Sequence, residues 1–289
     1  MPTYTALTTL SGKPAADNLA EAMERLDPVP TGVGVFEIED GSGLWEVGGY
    51  FIARPDETGL AVLAMAFGAK PFAVSKLEDR DWVAQVRREL TPVEAGRFVV
   101  YGGHDAANIP SQKIGLEIEA AMAFGTGHHG TTQGCLASFD ALLRQGLRPR
   151  NVADIGCGTG VLAMAAAATG AVAVIASDID QIAVATARAN CAANKLGSRV
   201  LAVRAPGFRH PELRRRAPFD LVFANILANP LKRLAPDMAR SVAPGGIVIL
   251  SGILNRQARG VQAVYAGHGF STRARRVIGE WTTLTLDRA

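Results

Sequence analysis

NVADIGCGTGVLAMAAAATGAVAVIASDID, residues Asn151–Asp180, is the stretch that predicts the fold of the larger part of the chain. It opens with a short apolar strand, continues through a turn with three glycines, and then forms a helix of small apolar residues up to Thr169. Gly170 ends that helix, a common role of glycine just past a helix end. A second apolar strand follows and ends on Asp178. Strand, glycine turn, helix, strand and acid in this order make half of a nucleotide-binding βαβ unit.

The spacing of the glycines indicates the kind of ligand. A dinucleotide fingerprint, G-x-G-x-x-G, would need a glycine at position 161, where this chain has Val161. The glycines fall instead at positions 156, 158 and 160, and Asp154 lies two residues before the first of them. D-x-G-x-G-x-G followed by an acid at the end of the next strand resembles motif one of the class I S-adenosylmethionine-dependent methyltransferases.

These residue types match the chemistry of that cofactor. Gly156 and Gly158 would let the backbone approach the ligand without a clash from a Cβ atom. Asp154 could meet the cationic amino group of the methionine part, directly or through water, and Asp178 could accept both ribose hydroxyls. A glycine turn alone is a weak signal, so a bare Rossmann turn of a dehydrogenase stays open as an alternative at this point.

Length and composition indicate a globular protein with more than one domain. The 289 residues favour two domains over one, and 48% hydrophobic with 20% charged residues argues against disorder. No signal-peptide pattern is seen, and the most apolar window, Val161–Ala176, is shorter than the ~20 residues of a membrane span. Three scattered cysteines imply no disulfide framework. We therefore expect a cytoplasmic protein without a membrane segment.

The charges are unevenly spread along the chain. Residues 1–77 hold five basic and ten acidic residues, a net charge of −5, whereas the remainder holds 25 basic and 17 acidic residues, a net charge of +8. An acidic domain would attract a basic partner over long range. A solvated acidic surface with no partner is the alternative, and charge alone does not separate the two.

The first 77 residues predict a small α+β domain. Strands and helices follow the order β-α-β-β-α-β, which is the ferredoxin-like pattern. No residue in this domain looks catalytic, so we expect recognition or dimerisation. The predicted elements are Tyr4–Leu10, Ala15–Leu26, Gly34–Glu39, Leu44–Phe51, Glu57–Phe67 and Pro71–Val74.

Residues 78–92 predict a linker helix, and residues 93–289 predict the second domain. Two strands, Arg97–Tyr101 and Ile114–Ile118, precede the central unit. The seven strands from Val152 onwards alternate with helices and fit a doubly wound, Rossmann-like α/β sheet. Its closing hairpin is expected to add an antiparallel strand.

Two further predictions in this domain concern where a helix and a strand begin. Thr131 or Thr132 is expected to cap the following helix, Gly134–Arg144. The segment Pro244–Gly246 is expected to turn the chain into a strand at Ile247–Leu250.

Four segments of the chain carry a resemblance to a known family: Phe124–Thr132 (FGTGHHGTT), Asp154–Gly160 (DIGCGTG), Asp178–Asp180 (DID) and Ala224–Leu227 (ANIL). Together they closely resemble the ribosomal protein L11 methyltransferases of bacteria. The resemblance covers nearly the whole chain, including the small N-terminal domain. Two positions depart from the family pattern: His128, where Thr is common, and Gly130, where Pro is common.

The resemblance implies a cofactor, a substrate and a set of binding residues. The cofactor would be S-adenosylmethionine, bound by Thr132, Gly156, Asp178 and Asn225. The small domain would grip the substrate, ribosomal protein L11, and a hinge would let one catalytic site reach several lysine side-chain or N-terminal amines. That protein is basic, which suits the negative charge of residues 1–77. Direct contact with nucleic acid is not required, and the oligomeric state is left open.

Asn225 is the predicted catalytic residue. It follows the fourth strand of the sheet, beside the edge where open α/β sheets bind ligands. Its side-chain oxygen could accept an amine N–H and aim the lone pair at the methyl group, and the Ile226 carbonyl could do likewise. The alternative role of Asn225 is to cap the next helix.

Other residues near the motifs have weaker assignments. Phe124 is expected to pack on the cofactor or on the alkyl chain of the substrate, although a buried loop anchor fits equally well. Asp180 ranks below Asp178 because it could be a helix cap. His128 and His129 have no further ligands nearby, so we expect no metal site, and a loop-ordering role is favoured over a general base.

Three other functions compete with methylation of ribosomal protein L11. One is a related protein-lysine methyltransferase with another protein substrate. A nicotinamide-dependent oxidoreductase is the second, and Val161 in place of a third glycine counts against it. The third is a non-catalytic cofactor-binding module, which Asn225 and the FGTG segment disfavour.

Overall fold

A computed structural model describes residues 3–30, 32–38, 43–77, 92–118 and 129–289. The chain divides into two compact units, Met1–Val86 and Arg87–Ala289. The predicted linker helix, up to Thr91, and the segment Phe124–His128 lie outside the described residues.

The first unit contains four strands and two helices: β1 (Thr3–Ser11), α1 (Lys13–Met23), β2 (Gly32–Glu37), β3 (Leu44–Phe51), α2 (Glu57–Phe67) and β4 (Ala73–Leu77). The strands pair antiparallel in the order β2-β3-β1-β4. Asp56 caps α2, since its carboxylate accepts the Thr58 N–H at 3.0 Å. Leu19 and Leu60 are buried in a shared apolar core with Phe51 of the sheet. One continuous core therefore joins both helices to the sheet.

The second unit opens with a three-stranded sheet of β5 (Val93–Ala95), β6 (Phe98–Tyr101) and β7 (Ile114–Glu117). β6 is antiparallel to β5 and parallel to β7. Asp140, on the helix α3 (His129–Arg144), pairs with Arg97 at 2.5 Å and with Arg144 at 2.8 Å. This buried carboxylate ties the β5–β6 turn to α3. The sequence predicted β6 and β7 but not β5, whose three residues are too few for a pattern.

The remaining strands form the predicted seven-stranded sheet: β8 (Asn151–Ile155), β9 (Ala173–Asp178), β10 (Val200–Arg204), β11 (Phe219–Asn225), β12 (Val242–Leu254), β13 (Phe270–Ile278) and β14 (Trp281–Arg288). Their order in the sheet is β10-β9-β8-β11-β12-β14-β13. The first five are parallel, while β14 is antiparallel to both of its neighbours. The prediction of an α/β sheet closed by an antiparallel hairpin is confirmed.

Helices cover both faces of this sheet: α4 (Val161–Ala168), α5 (Gln181–Ala193), α6 (Pro211–Arg216), α7 (Ala228–Ser241) and α8 (Ala258–Ala266), together with α3. Side chains alternate along each strand, so that Val152 joins one core with α3, α4 and α5, and Ala153 joins another with α7 and α8. Within the described residues, no helix has the length and apolar character needed to span a membrane.

Two local predictions in this unit are wrong. Thr131 and Thr132 do not cap α3 from outside, because the helix already begins at His129 and both lie in its first turns. The segment Pro244–Gly246 is not a turn before the strand but lies within β12. In the pairing of β11 with β12, Phe219 lies opposite Val242, and the next pair is Leu221 opposite Ile247. The residues of β12 between these two pairs are accommodated in a bulge.

Candidate active site

The predicted site residues converge because of the sheet order. β9, β8 and β11 are adjacent and parallel, so their carboxyl ends meet at one edge of the sheet. The glycine turn follows β8, Asp178 ends β9 and Asn225 ends β11. This edge is where open α/β sheets bind their ligands.

The glycine turn has a backbone conformation that other residues rarely adopt. The φ angles of Gly156 and Gly158 are 72° and 51°, in the left-handed region. Two consecutive N–H groups, of Gly156 and Cys157, donate to the Ser177 carbonyl at 2.8 and 3.0 Å and hold the turn against β9. A Cβ atom on Gly156 would overlap the Ile226 side chain, whereas one on Gly158 would meet nothing within 4 Å. Packing therefore fills one side of the turn, and the space at Gly158 is left for a ligand.

Asp178 is held in place by the backbone around it. One carboxylate oxygen accepts the Gly158 N–H at 3.0 Å and the other accepts the Asp180 N–H at 3.0 Å. Because each carboxylate oxygen can accept a second hydrogen bond, both remain able to bind a ribose hydroxyl. Asp178 thus links the glycine turn to the start of α5.

Asp180 caps α5, as one interpretation of the sequence held. Its side chain accepts the Ile182 N–H at 2.9 Å, and its backbone has the extended conformation of an N-cap. A structural role is therefore established for Asp180, although the residue also lines the cavity described below.

Asp154 lies beneath the turn and is only 1% exposed. One oxygen accepts the Ala163 N–H at 3.0 Å, near the start of α4, where the N-cap residue Gly160 has no side chain to do so. The other oxygen is buried and meets no hydrogen-bond donor from the described residues. Burial raises the pKa of Asp154 to about 7, the Ala163 N–H opposes that rise, and the negative charge of Asp178 adds to it.

Asn225 contacts the first turns of α3. Its amide nitrogen donates to the hydroxyls of Thr131 at 3.3 Å and Thr132 at 3.4 Å. Phe139 of α3 packs edge-on against Phe223 of β11, with ring centroids 5.3 Å apart, which fixes the helix over the strand. The amide oxygen of Asn225 has no donor in the described part of the chain.

The alternative that Asn225 caps the next helix is wrong. The N-cap of α7 is Leu227, two residues further on. The Asn225 side chain is therefore engaged with α3 and not with α7.

A cavity of about 230 Å³ lies at this edge. Of the predicted site residues, Thr132, Gly156, Gly158 and Asn225 line it, and Asp154 and Asp178 do not. Sequence reasoning missed Ile182 and Thr186, which line the cavity from α5. Their spacing of four residues, just after an acid that ends a strand, was the available signal.

The cysteines do not supply a nucleophile at this edge. Cys135, Cys157 and Cys191 are buried and form no disulfide. Burial raises the pKa of the Cys191 thiol to about 11, and that of Cys157 further still. Thiols that stay protonated are poor nucleophiles, so neither Cys157 nor Cys191 is suited to that role.

These residues fit S-adenosylmethionine. The open space at Gly158 admits a ligand close to the backbone, both oxygens of Asp178 keep capacity to accept a further hydrogen bond, and one buried oxygen of Asp154 has no donor among the described residues. The Rossmann order of a dehydrogenase, 3-2-1-4-5-6, is moreover replaced here by 3-2-1-4-5-7-6 with an antiparallel hairpin. The chain is thus a class I S-adenosylmethionine-dependent methyltransferase, and the dehydrogenase alternative is wrong.

Comparison with known proteins shows the family. A family model described as ribosomal protein L11 methyltransferase (PrmA) matches residues 41–289. The ribosomal protein L11 methyltransferase of Rhodopseudomonas palustris strain BisB5 is 48% identical over 267 residues, 91% of this chain and 90% of the relative. That of Bradyrhizobium diazoefficiens is 44% identical over 290 residues, 99% of this chain and 97% of the relative. The chain belongs to the ribosomal protein L11 methyltransferase family, as its motifs predicted.

A solved structure supports the same assignment. The crystal structure of ribosomal protein L11 methylase from Lactobacillus delbrueckii subsp. bulgaricus matches with a TM-score of 0.61 and 27% identity. The match covers 69% of this chain and 99% of that chain. The α/β methyltransferase fold with a mixed central sheet is therefore shared with a family member.

Proposed function

We propose that this protein transfers methyl groups from S-adenosylmethionine to lysine side-chain or N-terminal amines of ribosomal protein L11 in the cytoplasm. The observation that carries the proposal is an asparagine amide, Asn225, held beside the cofactor cavity in a chain that belongs to this family.

When bound, S-adenosylmethionine supplies a methyl group on a positively charged sulfur. Because the leaving group is neutral, acid catalysis contributes little, and the protein mainly has to hold a neutral amine in line with the methyl group. A lysine amine has an ordinary pKa of about 10.4, which desolvation beside a cation lowers.

We assign to Asn225 the role of orienting the substrate amine. Its nitrogen is engaged by the hydroxyls of Thr131 and Thr132, so its oxygen is left to accept an N–H from the substrate. An acceptor in that position orients the nitrogen lone pair, which is the positioning that an in-line displacement needs. The Ile226 carbonyl is a second candidate for the same task.

The cofactor residues divide into those that touch the ligand and those that support them. Thr132, Gly156 and Gly158 line the cavity and are assigned direct contact. Asp178 is assigned the ribose hydroxyls, because its two oxygens are already aligned by backbone N–H groups. Asp154, buried beneath the turn, is assigned contact through water. The assignment of Phe124 to the cofactor or the substrate stays a prediction.

We assign substrate recognition to residues 1–77, which form a ferredoxin-like domain joined by residues 78–92 to the catalytic domain at 93–289. The element order and the antiparallel sheet order β2-β3-β1-β4 support that fold. The acidic side chains of Asp17 and Glu21 on α1, and of Glu24 directly after it, are exposed. Such a surface would attract a basic ribosomal protein.

The test is incubation of the protein with methyl-labelled S-adenosylmethionine and purified ribosomal protein L11, followed by mass spectrometry of the product. We expect methylated lysine or N-terminal amines in ribosomal protein L11, and about 10²-fold slower methylation when Asn225→Ala replaces the wild type at equal concentration. Label in other proteins of a cell extract, with none in ribosomal protein L11, would support the related protein-lysine methyltransferase instead.

A further inference from the structure

Ile226, the residue after Asn225, is held in place by two glycines from other parts of the chain. Its side chain lies over Gly156, where a Cβ atom would overlap it, and packs on the core that α7 and α8 form with the sheet. Its main chain lies against Gly252 of β12. The glycine turn thus holds the side chain of Ile226, and β12 holds its peptide group.

Gly252 lies in a bulge at the end of β12 nearest the candidate active site. Ser251 and Gly252 of β12 lie opposite the single residue Thr283 of β14, and the regular pairing continues on both sides. The buried hydroxyls of Ser251 and Thr283 are 2.9 Å apart, and their hydrogen bond fastens the bulge to β14. On the other side of β12, Ser251 lies opposite Asn225 of β11. The bulge therefore begins beside the residue assigned to the substrate amine.

The space that a side chain would need at position 252 is occupied by the main chain of Ile226. A Cβ atom there would lie 2.5 Å from the Ile226 oxygen, 2.8 Å from its carbonyl carbon and 3.1 Å from its nitrogen. Gly252 also has a φ angle of 78°, in the left-handed region that glycine favours. Glycine within a strand marks a bulge or a close approach of another main chain, and both occur here. Any larger residue would push the Ile226 carbonyl away.

The carbonyl of Ile226 has no hydrogen-bond donor in the described part of the chain. The residue four positions on, from which a helix would supply a donor, is Pro230, and proline has no N–H. The first hydrogen bond of α7 instead runs from the Leu231 N–H to the Leu227 oxygen at 3.1 Å. An acceptor next to Asn225 is therefore left for a substrate.

A primary amine has two N–H groups and one lone pair. A single acceptor leaves the nitrogen free to turn about one hydrogen bond, whereas two acceptors fix the direction of the lone pair, as an in-line displacement needs. We propose that Gly252 is a positioning residue for methyl transfer, because the absence of a Cβ keeps the Ile226 carbonyl where it accepts the second N–H of the amine. This role rests on the proposed function, in which the oxygen of Asn225 accepts the first.

The test compares Gly252→Ala with a matched control, Gly245→Ala. Gly245 lies in the same strand and has a φ angle of 73°, but a Cβ atom there would meet nothing within 4 Å. Both variants therefore carry similar backbone strain, and only Gly252→Ala displaces the Ile226 carbonyl. With ribosomal protein L11 and saturating S-adenosylmethionine, Gly252→Ala should lower kcat by about tenfold to 10²-fold, the cost of a misplaced reacting group.

Two further measurements separate this effect from damage to the cofactor cavity or the fold. The Kd of S-adenosylhomocysteine, measured by calorimetry, should change by less than about threefold in both variants, since only an interaction with the amine is lost. The kcat of Gly245→Ala should stay within about twofold of the wild type, because its strain lies away from the reacting groups. Equal losses of kcat in the two variants, or a fall in cofactor affinity that matches the fall in kcat, would overturn the role of Gly252.

A substrate without N–H groups gives a sharper comparison. Reductive methylation of ribosomal protein L11 with formaldehyde converts its amines to dimethylamines, which have a lone pair but no N–H for the Ile226 carbonyl to accept. Relative to the wild type, Gly252→Ala should slow transfer to these amines by less than about threefold, because no second acceptor is used. A loss as large as that on untreated ribosomal protein L11 would show that the substitution disturbs the site in general.

A second variant weakens the carbonyl without adding a side chain, and it decides the matter if Gly252→Ala does not fold. The α-hydroxy acid analogue of leucine at position 227 turns the Ile226 carbonyl into an ester, which is a poorer acceptor. The Leu227 N–H that it removes has no acceptor among the described residues. Methylation of untreated ribosomal protein L11 should slow by about tenfold, the equivalent of one hydrogen bond.

The outcomes for the ester variant and the wild type have different meanings. An ester variant as fast as the wild type would overturn the assignment of Ile226 and Gly252, and would leave the proposed function intact. A wild type that labels neither form of ribosomal protein L11 would overturn the proposed function, and the role of Gly252 with it.

Discussion

The amide of Asn225 donates to the hydroxyl of Thr131 across 3.3 Å and so joins the end of β11 to the first turn of α3. The two residues are 94 positions apart in the chain. This contact decides which end of the amide faces the cavity, because the nitrogen is occupied and the oxygen is not. Turnover should therefore depend on both residues.

Asn225→Ala should lower turnover far more than cofactor affinity. Loss of the oriented acceptor misplaces the amine, and misplacement of about 1 Å can cost about 10²-fold in rate. The dissociation constant of S-adenosylmethionine, measured by calorimetry, should change only a few fold, since other residues also line the cavity. Equal losses in turnover and affinity would contradict the assigned role.

Thr131→Val should reproduce part of that effect. Valine keeps the shape of the side chain but offers no acceptor, so the Asn225 amide keeps only the Thr132 hydroxyl and is held less firmly. We expect about tenfold slower turnover, the equivalent of one hydrogen bond, and recovery in Thr131→Ser. A Thr131→Ser variant as slow as Thr131→Val would show that packing, and not the hydroxyl, is what Thr131 supplies.

Substitutions of Asp178 and Asp180 should have different effects, because Asp178 is assigned contact with the ligand and Asp180 caps a helix. Asp178→Ala should weaken cofactor binding by about tenfold or more, the cost of hydrogen bonds to a charged group. Asp180→Ala should instead lower the free energy of unfolding by about 1 kcal/mol, because α5 loses its N-cap. Calorimetry and urea denaturation on both variants make the comparison, and reversed effects would contradict it.

Gly156→Ala and Gly158→Ala should differ although both glycines have positive φ angles. In Gly158→Ala the backbone strain costs about 1 kcal/mol of stability. The new methyl group also occupies the open space beside the turn and so lowers the affinity for the cofactor. At Gly156 the Cβ also overlaps Ile226, which adds about 1–3 kcal/mol of overpacking. Chemical denaturation measures both.

A second substitution tests why Gly156→Ala should lose more stability than Gly158→Ala. Ile226→Ala removes the methyl group that a Cβ on Gly156 would meet. The double variant Gly156→Ala/Ile226→Ala should be more stable than the sum of the two single effects predicts. Strict additivity would show that the overlap with Ile226 is not what destabilises Gly156→Ala.

Asp154→Asn should remove part of the pH dependence of stability. The pKa of Asp154 rises from 3.8 to about 7 on folding, so the folded protein binds more protons than the unfolded chain between these values. The free energy of unfolding of the wild type therefore falls as pH rises from about 4 to about 7, by at most about 4 kcal/mol. Asparagine keeps an acceptor for Ala163 but does not titrate.

Urea denaturation across this pH range checks the prediction. Asp154→Asn should show a flatter profile than the wild type, and Glu280→Gln, at an exposed position in the β13–β14 turn, serves as the control. An identical slope in Asp154→Asn and the wild type would remove Asp154 as the source.

The sheet and the glycine turn could be predicted because their signals are local. Apolar strands, the spacing of Gly156 and Gly158, and an acid at a strand end are all visible within thirty residues. The family motifs extended this to the identity of the cofactor. Asp180 could be foreseen as a cap for the same reason, since a cap needs only its neighbours.

Contacts between distant segments could not be predicted. The engagement of Asn225 by Thr131 and the burial of one Asp154 oxygen depend on how helices pack across the sheet. The prediction of a turn at Pro244–Gly246 was wrong for a related reason. Glycine and proline usually interrupt strands, but here the pairing with β11 on both sides of the bulge keeps β12 continuous.

The bulge in β12 is a suitable site for attaching a label to the enzyme. Pro244 and Gly245 are exposed, and they lie at the start of β12, at the end of the sheet opposite to Asn225. A short epitope or a fluorophore attached there would sit outside the strand pairing and away from the reaction centre. Immobilised or labelled enzyme made in this way should keep its full activity, which would allow single-molecule observation of substrate capture.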